Sequence, residues 1–332
     1  ACTSCGSALA FDSVALRMWA LQRRVTESLR CELVGGDRQT RSLCANATHG
    51  VCNWLVEPGR ADSYCRACAL NKVIPDLSDP VNAAAWQELE LAKRRLIYGF
   101  LRLGLKFDDP ALPHGPIAFA FKSDAMTGHH RGLVTINVAE ADDVERQRQQ
   151  QMFDERYRTL LGHLRHESGH FYWDLLIQHG GLLDEFRQVF GDHQVDYKAA
   201  LDRHHAEGPP PGWQETYVSA YASMHPLEDW AETWAHYLHM VDVIDTAEAM
   251  GLAVKRDGAV GGRWWRRSRP ATFATTSIEE LLAQWVPLSI ALNELSRSMG
   301  HPDFYPFVIP AAAHPKLGLV HAAIKSSHRA PP

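Results

Sequence analysis

The sequence predicts an α+β protein that is predominantly α-helical, with a small sheet and a separate cysteine-rich module at its start. Long apolar patterns recur at helical spacing, as in residues 86–103, 152–177 and 277–299. Two short β-type runs, residues 117–121 and 132–138, provide the small sheet. All seven cysteines precede residue 69. We therefore expect a module over residues 1–75, a larger domain over residues 76–325 and a tail over residues 326–332.

Composition and charge exclude several classes of protein. Of the 332 residues, 45% are hydrophobic, which is enough to bury a core. No apolar run approaches the roughly 20 residues of a membrane-spanning helix, so no membrane association is expected. The chain has 34 basic and 39 acidic residues, and its net charge of -5 gives no broad attraction to nucleic acid. Because no basic segment followed by an apolar one opens the chain, we expect a cytoplasmic protein.

The cysteines predict a structural zinc site. An odd number of cysteines with Cys-x-x-Cys pairs is more typical of zinc binding in a reducing compartment than of disulfides. Four thiolates can close the shell of one tetrahedral zinc ion. The candidate ligands are Cys44, Cys52, Cys65 and Cys68. A pairing of the last two with Cys2 and Cys5 stays open, and we interpret Cys31 as a structural thiol outside any metal site.

One short motif provides the functional prediction. His166 and His170 are four residues apart, so on an α-helix both project from one face and can bind one metal ion. Glu167 lies beside them, where the carboxylate of a His-Glu-x-x-His helix takes a proton from the metal-bound water and passes it to the leaving amine. Two histidines leave a catalytic zinc one protein ligand short. The alternative is that both histidines are polar positions on an amphipathic helix.

An acidic segment further along the chain can supply the missing ligand. Pro226 suits the first turn of a helix, and the acidic residues after it suit the positive end of the helix dipole. Glu228 and Glu232 have i, i+4 spacing, so one could bind the metal while the other holds a histidine ligand. A solvated acidic face is the alternative interpretation of this spacing.

The two segments together resemble a known family. A His-Glu-x-x-His helix followed by Glu-x-x-x-Glu on a second helix is the gluzincin arrangement, and Glu-x-x-Ala-Glu with a tyrosine seven residues upstream is similar to the lethal-factor-type catalytic domain. With its cysteine-rich start, the whole chain resembles the bacterial zinc-binding metallopeptidases that carry an N-terminal zinc ribbon. This resemblance implies Glu228 as the third zinc ligand, Glu232 as its support and Tyr221 as a hydrogen-bond donor to the oxyanion.

The resemblance also implies a zincin-like fold, in which a small sheet precedes the active-site helix and its edge strand pairs with an extended substrate. Residues 132–138 have the position for that strand. His129, His130 and Arg131 precede it and are interpreted as an exposed loop, with a substrate contact as the alternative. We interpret His163 as a supporting or surface residue that does not bind the zinc.

One compact run, residues 263–269, is both basic and aromatic. Interleaved arginine and tryptophan could stack on bases or grip an acidic partner. Because the chain is net negative and has no second basic region, an exposed loop is the better interpretation and no nucleic-acid partner is expected.

The sequence therefore predicts a zinc metallopeptidase that acts on a peptide or protein substrate, with one catalytic and one structural zinc ion. Two alternatives stay open. The first is a regulatory protein that binds zinc without catalysis and takes a protein partner through its ribbon. The second is a zinc hydrolase of non-peptide amide or ester bonds.

Overall fold

The structure, a computed structural model, describes residues 1–24, 29–35, 40–107, 112, 114–142, 159–252, 254 and 276–327. The chain divides into two compact units, Ala1–Gln149 with Thr159–Leu164 and Gln150–Arg158 with Arg165–Pro332. Within the described ranges, two four-stranded sheets and seven α-helices confirm the predicted α+β class. The domain boundaries at residues 75 and 325 stay a prediction.

The first unit begins with an antiparallel sheet whose four strands lie in sequence order. They are β1 (Leu9–Asp12), β2 (Arg17–Arg24), β3 (Arg30–Leu33) and β4 (Thr40–Ser42). Their inward side chains form a small core with Leu43, Ala47 and Leu55. Cys31 lies in this core, and its Sγ donates to the carbonyl oxygen of Arg41 at 3.5 Å.

A long helix and a second sheet complete the first unit. Helix α1 (Pro80–Arg102) begins as the sequence predicts, because the Asp79 side chain accepts a hydrogen bond from the backbone N–H of Val81. The strands of the second sheet are β5 (Asn71–Val73), β6 (Ala118–Lys122), β7 (Gly128–His130) and β8 (Leu133–Asn137). Their order is β5-β6-β8-β7, so the two β-type runs of the sequence form parallel neighbours, β6 and β8. The edge-strand position predicted for residues 132–138 is wrong, because β8 pairs with β6 on one side and with β7 on the other.

The loop predicted at His129 and His130 is wrong, because both residues lie in β7, which pairs antiparallel with β8. The reversal occurs at Arg131 and Gly132, whose φ angles are 48° and 80°. Two consecutive positive φ angles are typical of the tight turns that join hairpin strands. Only Arg131 of the three predicted loop residues therefore lies in the turn.

The described part of the second unit is helical. It begins within α2 (Leu160–Tyr172), whose residues Leu160–Leu164 belong to the first unit, and continues with a π-helix (Trp173–Gln178). The helices that follow are α3 (Leu183–Phe190), α4 (Tyr197–Glu207), α5 (Pro226–Ala249), α6 (Ile278–Ser298) and α7 (His314–Ser327). Large aromatic side chains of α2 and α5, such as Tyr172, Trp230 and Trp234, are fully buried. Residues 182–206, whose pattern predicts two short helices, form α3 and α4, and the helix predicted over residues 277–299 is confirmed.

Some predictions fall partly or wholly outside the described residues. The predicted helix over residues 152–177 is described only from Leu160, and the basic and aromatic run at residues 263–269 lies outside the described ranges. Of the predicted tail, Ser326 and Ser327 form the end of α7, and the remainder lies outside the described residues. In the part of the chain that the structure covers, every helix is too short or too polar to cross a membrane.

Candidate active site

Two groups of metal-ligating side chains occur among the described residues, and within each group the ligand atoms lie within 4.8 Å of one another. The first unit contains Cys44, Cys52, Cys65 and Cys68. The second contains His166, His170 and Glu228. The alternative pairing of Cys2 and Cys5 with the Cys-x-x-Cys turn is not the arrangement seen in the structure.

The thiol group has the geometry of a closed tetrahedral site. All four thiols are buried. Cys44 follows β4, its backbone N–H donates to the carbonyl oxygen of Trp54 at 2.9 Å, and the backbone N–H of Trp54 donates to Sγ of Cys52 at 3.4 Å. The Sγ atoms of Cys52 and Cys65 are 3.7 Å apart. A tetrahedral zinc with bonds of about 2.3 Å places its sulfurs about 3.8 Å apart, so the thiols fit this ion.

A buried ion pair lies against the thiol group. Oε2 of Glu90 is 3.9 Å from Sγ of Cys68, and Oε1 of Glu90 is 2.8 Å from Nζ of Lys93. Both side chains of the pair are 0% exposed. The basic run at residues 93–95 predicts a solvated face of α1. This prediction is wrong for Lys93, because a buried carboxylate and the side chain of Asn71 satisfy its ammonium group.

The second group joins two helices. His166 and His170 share one face of α2, with ring centroids 5.1 Å apart. Glu228 lies in the first turn of α5, which has Pro226 in its first turn and is capped by His225, whose side chain accepts from the N–H of Leu227. Oε2 of Glu228 is 3.0 Å from Nε2 of His166, and its Oε1 is 3.6 Å from Nε2 of His170.

A close backbone contact brings α2 and α5 together at the site. Gly169 faces α5, and a Cβ atom at this position would lie 2.9 Å from the Cα atom of Ala231. Two indoles of α5 bond back to α2: Nε1 of Trp230 donates to the carbonyl oxygen of Gly169 at 2.9 Å, and Nε1 of Trp234 donates to Oγ of Ser168 at 3.2 Å. The two middle residues of the His-Glu-x-x-His motif thus set the distance between the ligand-bearing helices.

Glu232 orients the first histidine. Its Oε1 is 2.6 Å from Nδ1 of His166. Although burial opposes ionisation, the hydrogen bond to His166 lowers the pKa of Glu232 to about 2. An ionised Glu232 only accepts hydrogen bonds, so Nδ1 of His166 carries the proton and Nε2 presents its lone pair.

This arrangement fits a metal cation. Nε2 of His166 and Oε2 of Glu228 approach to 3.0 Å, and among the described residues this oxygen has no aligned hydrogen-bond partner. Burial opposes ionisation of Glu228, but the charge of His170 lowers the pKa of this carboxyl to about 2. A cation between Nε2 of His166 and Oε2 of Glu228 stabilises the two groups. Although burial opposes it, the carboxylates of Glu228 and Glu232 raise the pKa of His166 well above its ordinary value, so a proton takes this place when no metal ion is bound. Tetrahedral zinc with bonds of about 2.1 Å places its ligand atoms about 3.4 Å apart, close to the 3.0 Å between Nε2 of His166 and Oε2 of Glu228.

Glu167 and Tyr221 lie beside this group. Glu167 follows His166 on α2 and is partly exposed. The ring of Tyr221, in a short 3-10 turn before α5, has its centroid 5.9 Å from that of His166. Burial and the charge of Glu228 raise the pKa of Tyr221, so its hydroxyl stays protonated at neutral pH. His163 lies elsewhere, in the first unit, where its Nδ1 contacts Oε2 of Glu140.

Sequence reasoning missed a second tyrosine at the site. Tyr197 begins α4, and its hydroxyl donates to Oε1 of Glu228 at 3.0 Å. It also missed Arg165, whose guanidinium is 2.5 Å from Oδ2 of Asp242 and 3.4 Å from Nδ1 of His239. No spacing in the sequence relates these residues to the histidine motif, because each contact joins segments more than 30 residues apart.

Comparison with known proteins adds two family matches. The family described as "Putative zinc-binding metallo-peptidase" matches residues 82–323, and a zinc-ribbon domain family matches residues 1–79. Uncharacterized proteins of Mycobacterium tuberculosis and Mycobacterium bovis are each 42% identical over 331 residues, which covers 98% of this chain and 90% of the relative. No solved structure matches the chain.

Proposed function

This chain belongs to the family of zinc-binding metallo-peptidases, and we propose that it hydrolyses peptide bonds in a peptide or protein substrate. In this proposal the zinc ligands are His166, His170 and Glu228, in a gluzincin-like set. The observation that carries the proposal is their convergence, with Glu228 3.0 Å and 3.6 Å from the two imidazoles. A bound zinc ion would lower the pKa of a water molecule and polarise the carbonyl group of the scissile bond.

Glu167 acts as the general base. It accepts a proton from the attacking water and delivers that proton to the nitrogen of the leaving amine. Its place on the helix that carries both histidines supports this role. Its partial exposure also supports it, because a general base must be accessible to the attacking water and to the substrate.

Tyr221 and Glu232 assist in different ways. The protonated hydroxyl of Tyr221 donates a hydrogen bond to the oxyanion that forms as the carbonyl is attacked. Glu232 accepts from Nδ1 of His166 and so keeps the lone pair of Nε2 directed to the metal. The thiol group of the first unit holds a second, structural zinc ion, because four protein ligands leave no position for a substrate.

Metal content per chain is the first test of this function. Wild type should hold two zinc ions, and the His166→Ala, His170→Ala double variant should hold one. A count that does not fall in the double variant would contradict the proposed histidine site.

Hydrolysis by a Glu167→Gln variant is the second test. This variant should keep its zinc and lose activity by about 10²- to 10⁴-fold, the usual contribution of a general base. Glu185→Gln, at an exposed position of α3, is the matched control and should retain wild-type activity. A panel of peptides and of non-peptide amides and esters identifies the substrate class. Cleavage that is unchanged in Glu167→Gln would refute the mechanism.

A further inference from the structure

The two carboxylate oxygens of Glu228 have different surroundings. Oε1 accepts the 3.0 Å hydrogen bond from Tyr197. Oε2 is buried, faces Nε2 of His166 at 3.0 Å and has no aligned hydrogen-bond partner among the described residues. A hydrogen bond to one oxygen restricts rotation of the carboxylate, so Tyr197 determines which oxygen is presented to His166.

The ring of Tyr197 is held by the residue that caps α5. It packs edge-on against His225, with ring centroids 5.1 Å apart. Nε2 of His225 donates to the carbonyl oxygen of Val195 at 3.0 Å, and its Nδ1 accepts from the N–H of Leu227 at 3.1 Å. His225 therefore connects the start of α4 to the start of α5, and this connection places the Tyr197 hydroxyl over Glu228.

The second tyrosine of the site lies in the same electrostatic environment. Burial and the charge of Glu228 raise the pKa of both Tyr197 and Tyr221, so both hydroxyls stay protonated. Tyr197 can therefore donate its proton to Oε1 of Glu228.

We propose that Tyr197 is a positioning residue of the histidine site: it holds Glu228 so that Oε2 binds the metal. This inference rests on the proposed zinc site and adds a residue of α4 to it. The bond to Oε1 makes Glu228 a ligand through one oxygen.

Zinc affinity tests the inference without requiring a substrate. In Tyr197→Phe the ring stays and the hydroxyl is lost, so zinc at the histidine site should bind about 10- to 100-fold more weakly, as for other residues that support metal ligands. Competition with a chelator measures this affinity. Cobalt(II) absorption reports the change in coordination of Glu228.

Two further tyrosine variants separate the roles. Tyr221→Phe should keep wild-type zinc affinity, and on a cleaved peptide it should lower kcat more than it raises KM. Tyr217→Phe removes a hydroxyl from the same unit but keeps the ring, which Nζ of Lys316 contacts at 4.2 Å from the centroid, and it should match wild type. Far-UV circular dichroism of each variant checks that the fold is intact.

The outcomes distinguish this inference from the proposed function. If wild type holds histidine-dependent zinc and Tyr197→Phe binds it with unchanged affinity and cobalt spectrum, the positioning role is refuted and the peptidase proposal stands. If wild type holds no histidine-dependent zinc, both proposals are refuted. If Tyr217→Phe loses affinity as Tyr197→Phe does, the effect is not specific to Glu228 and the inference is also wrong.

Discussion

The two candidate metal sites of this protein differ in ligand number and exposure. The thiol site has four protein ligands, all of them buried. The histidine site has three, and the side chains of His166 and His170 are 13% and 19% exposed. A full protein shell is typical of structural zinc, and an open position is typical of catalytic zinc. Ligand count and exposure together therefore separate the two sites before any activity is measured.

The sites also differ in what holds their ligands in place. Loops and short 3-10 turns carry the cysteines, and the core that the four strands form contains seven buried residues in the described part of the chain. Packed helices hold the histidine site, through Gly169 and the buried indoles of Trp230 and Trp234. We therefore expect metal removal to disorder the thiol site and to leave the helices of the histidine site folded.

Loss of one thiolate should have the largest effect. In Cys65→Ser the thiol site loses a ligand, and structural zinc of this kind contributes about 10 kcal/mol or more of apparent binding free energy. We expect one zinc ion fewer per chain and rapid proteolysis within residues 1–79. Cys5→Ser, at an exposed cysteine outside the cluster, should behave as wild type. Unchanged protease resistance in Cys65→Ser would contradict the expectation that the thiol site, unlike the histidine site, depends on its metal ion for folding.

Acid should destabilise the helices behind the histidine site through a buried histidine. Burial lowers the pKa of His236 to about 4. The unfolded chain takes up this proton near pH 6.5 and the folded protein does not, so stability is lost as the pH falls from about 6.5 to about 4, by about 3 kcal/mol. His236→Phe cannot take up the proton and should lose correspondingly less stability over this range.

Urea unfolding at about pH 7 and about pH 4.5, with the histidine site stripped of metal in both proteins, measures this difference. Burial raises the pKa of Asp229 to about 6, which acts in the opposite direction as this carboxyl is protonated. Since wild type and His236→Phe share Asp229, its contribution cancels in the comparison. Equal losses in the two proteins would show that His236 is not the group responsible.

A smaller effect should follow from adding one methyl group between α2 and α5. The Cβ of Gly169→Ala would lie 2.9 Å from the Cα of Ala231, so the helices must separate, at a cost of about 2 kcal/mol. Gly318→Ala, inside α7, meets only Cγ2 of Ile278 at 3.9 Å and should stabilise the protein by about 0.5–1 kcal/mol. Thermal unfolding compares the two. A Gly169→Ala protein as stable as Gly318→Ala would show that this contact does not hold the site together.

Local patterns explain what could be predicted from the sequence. Two examples are the spacing of His166 and His170 and the cap of α1 at Asp79. Each depends only on residues within one helical turn, so it can be recognised in the sequence alone. The hydrophobic period likewise predicts most helices, because each buries one face. These features need no knowledge of tertiary structure.

Features that depend on distant partners could not be predicted in this way. A lysine on a helix is usually solvated, but Lys93 is buried because its ammonium group donates hydrogen bonds to Glu90 and Asn71. Tyr197 reaches Glu228 only because the starts of α4 and α5 converge. In both cases a polar side chain has a role that its local sequence does not encode.

The contact of Gly169 with Ala231 has a consequence for protein engineering. A five-residue motif copied onto a new scaffold would bring two imidazoles and a carboxylate, but not the third ligand at its correct distance. That distance depends on two helices whose backbones touch and on two indoles of one helix that donate hydrogen bonds to the other. The smallest transplantable version of this site is therefore a helix pair, and searches for related sites should match both helices and not the motif alone.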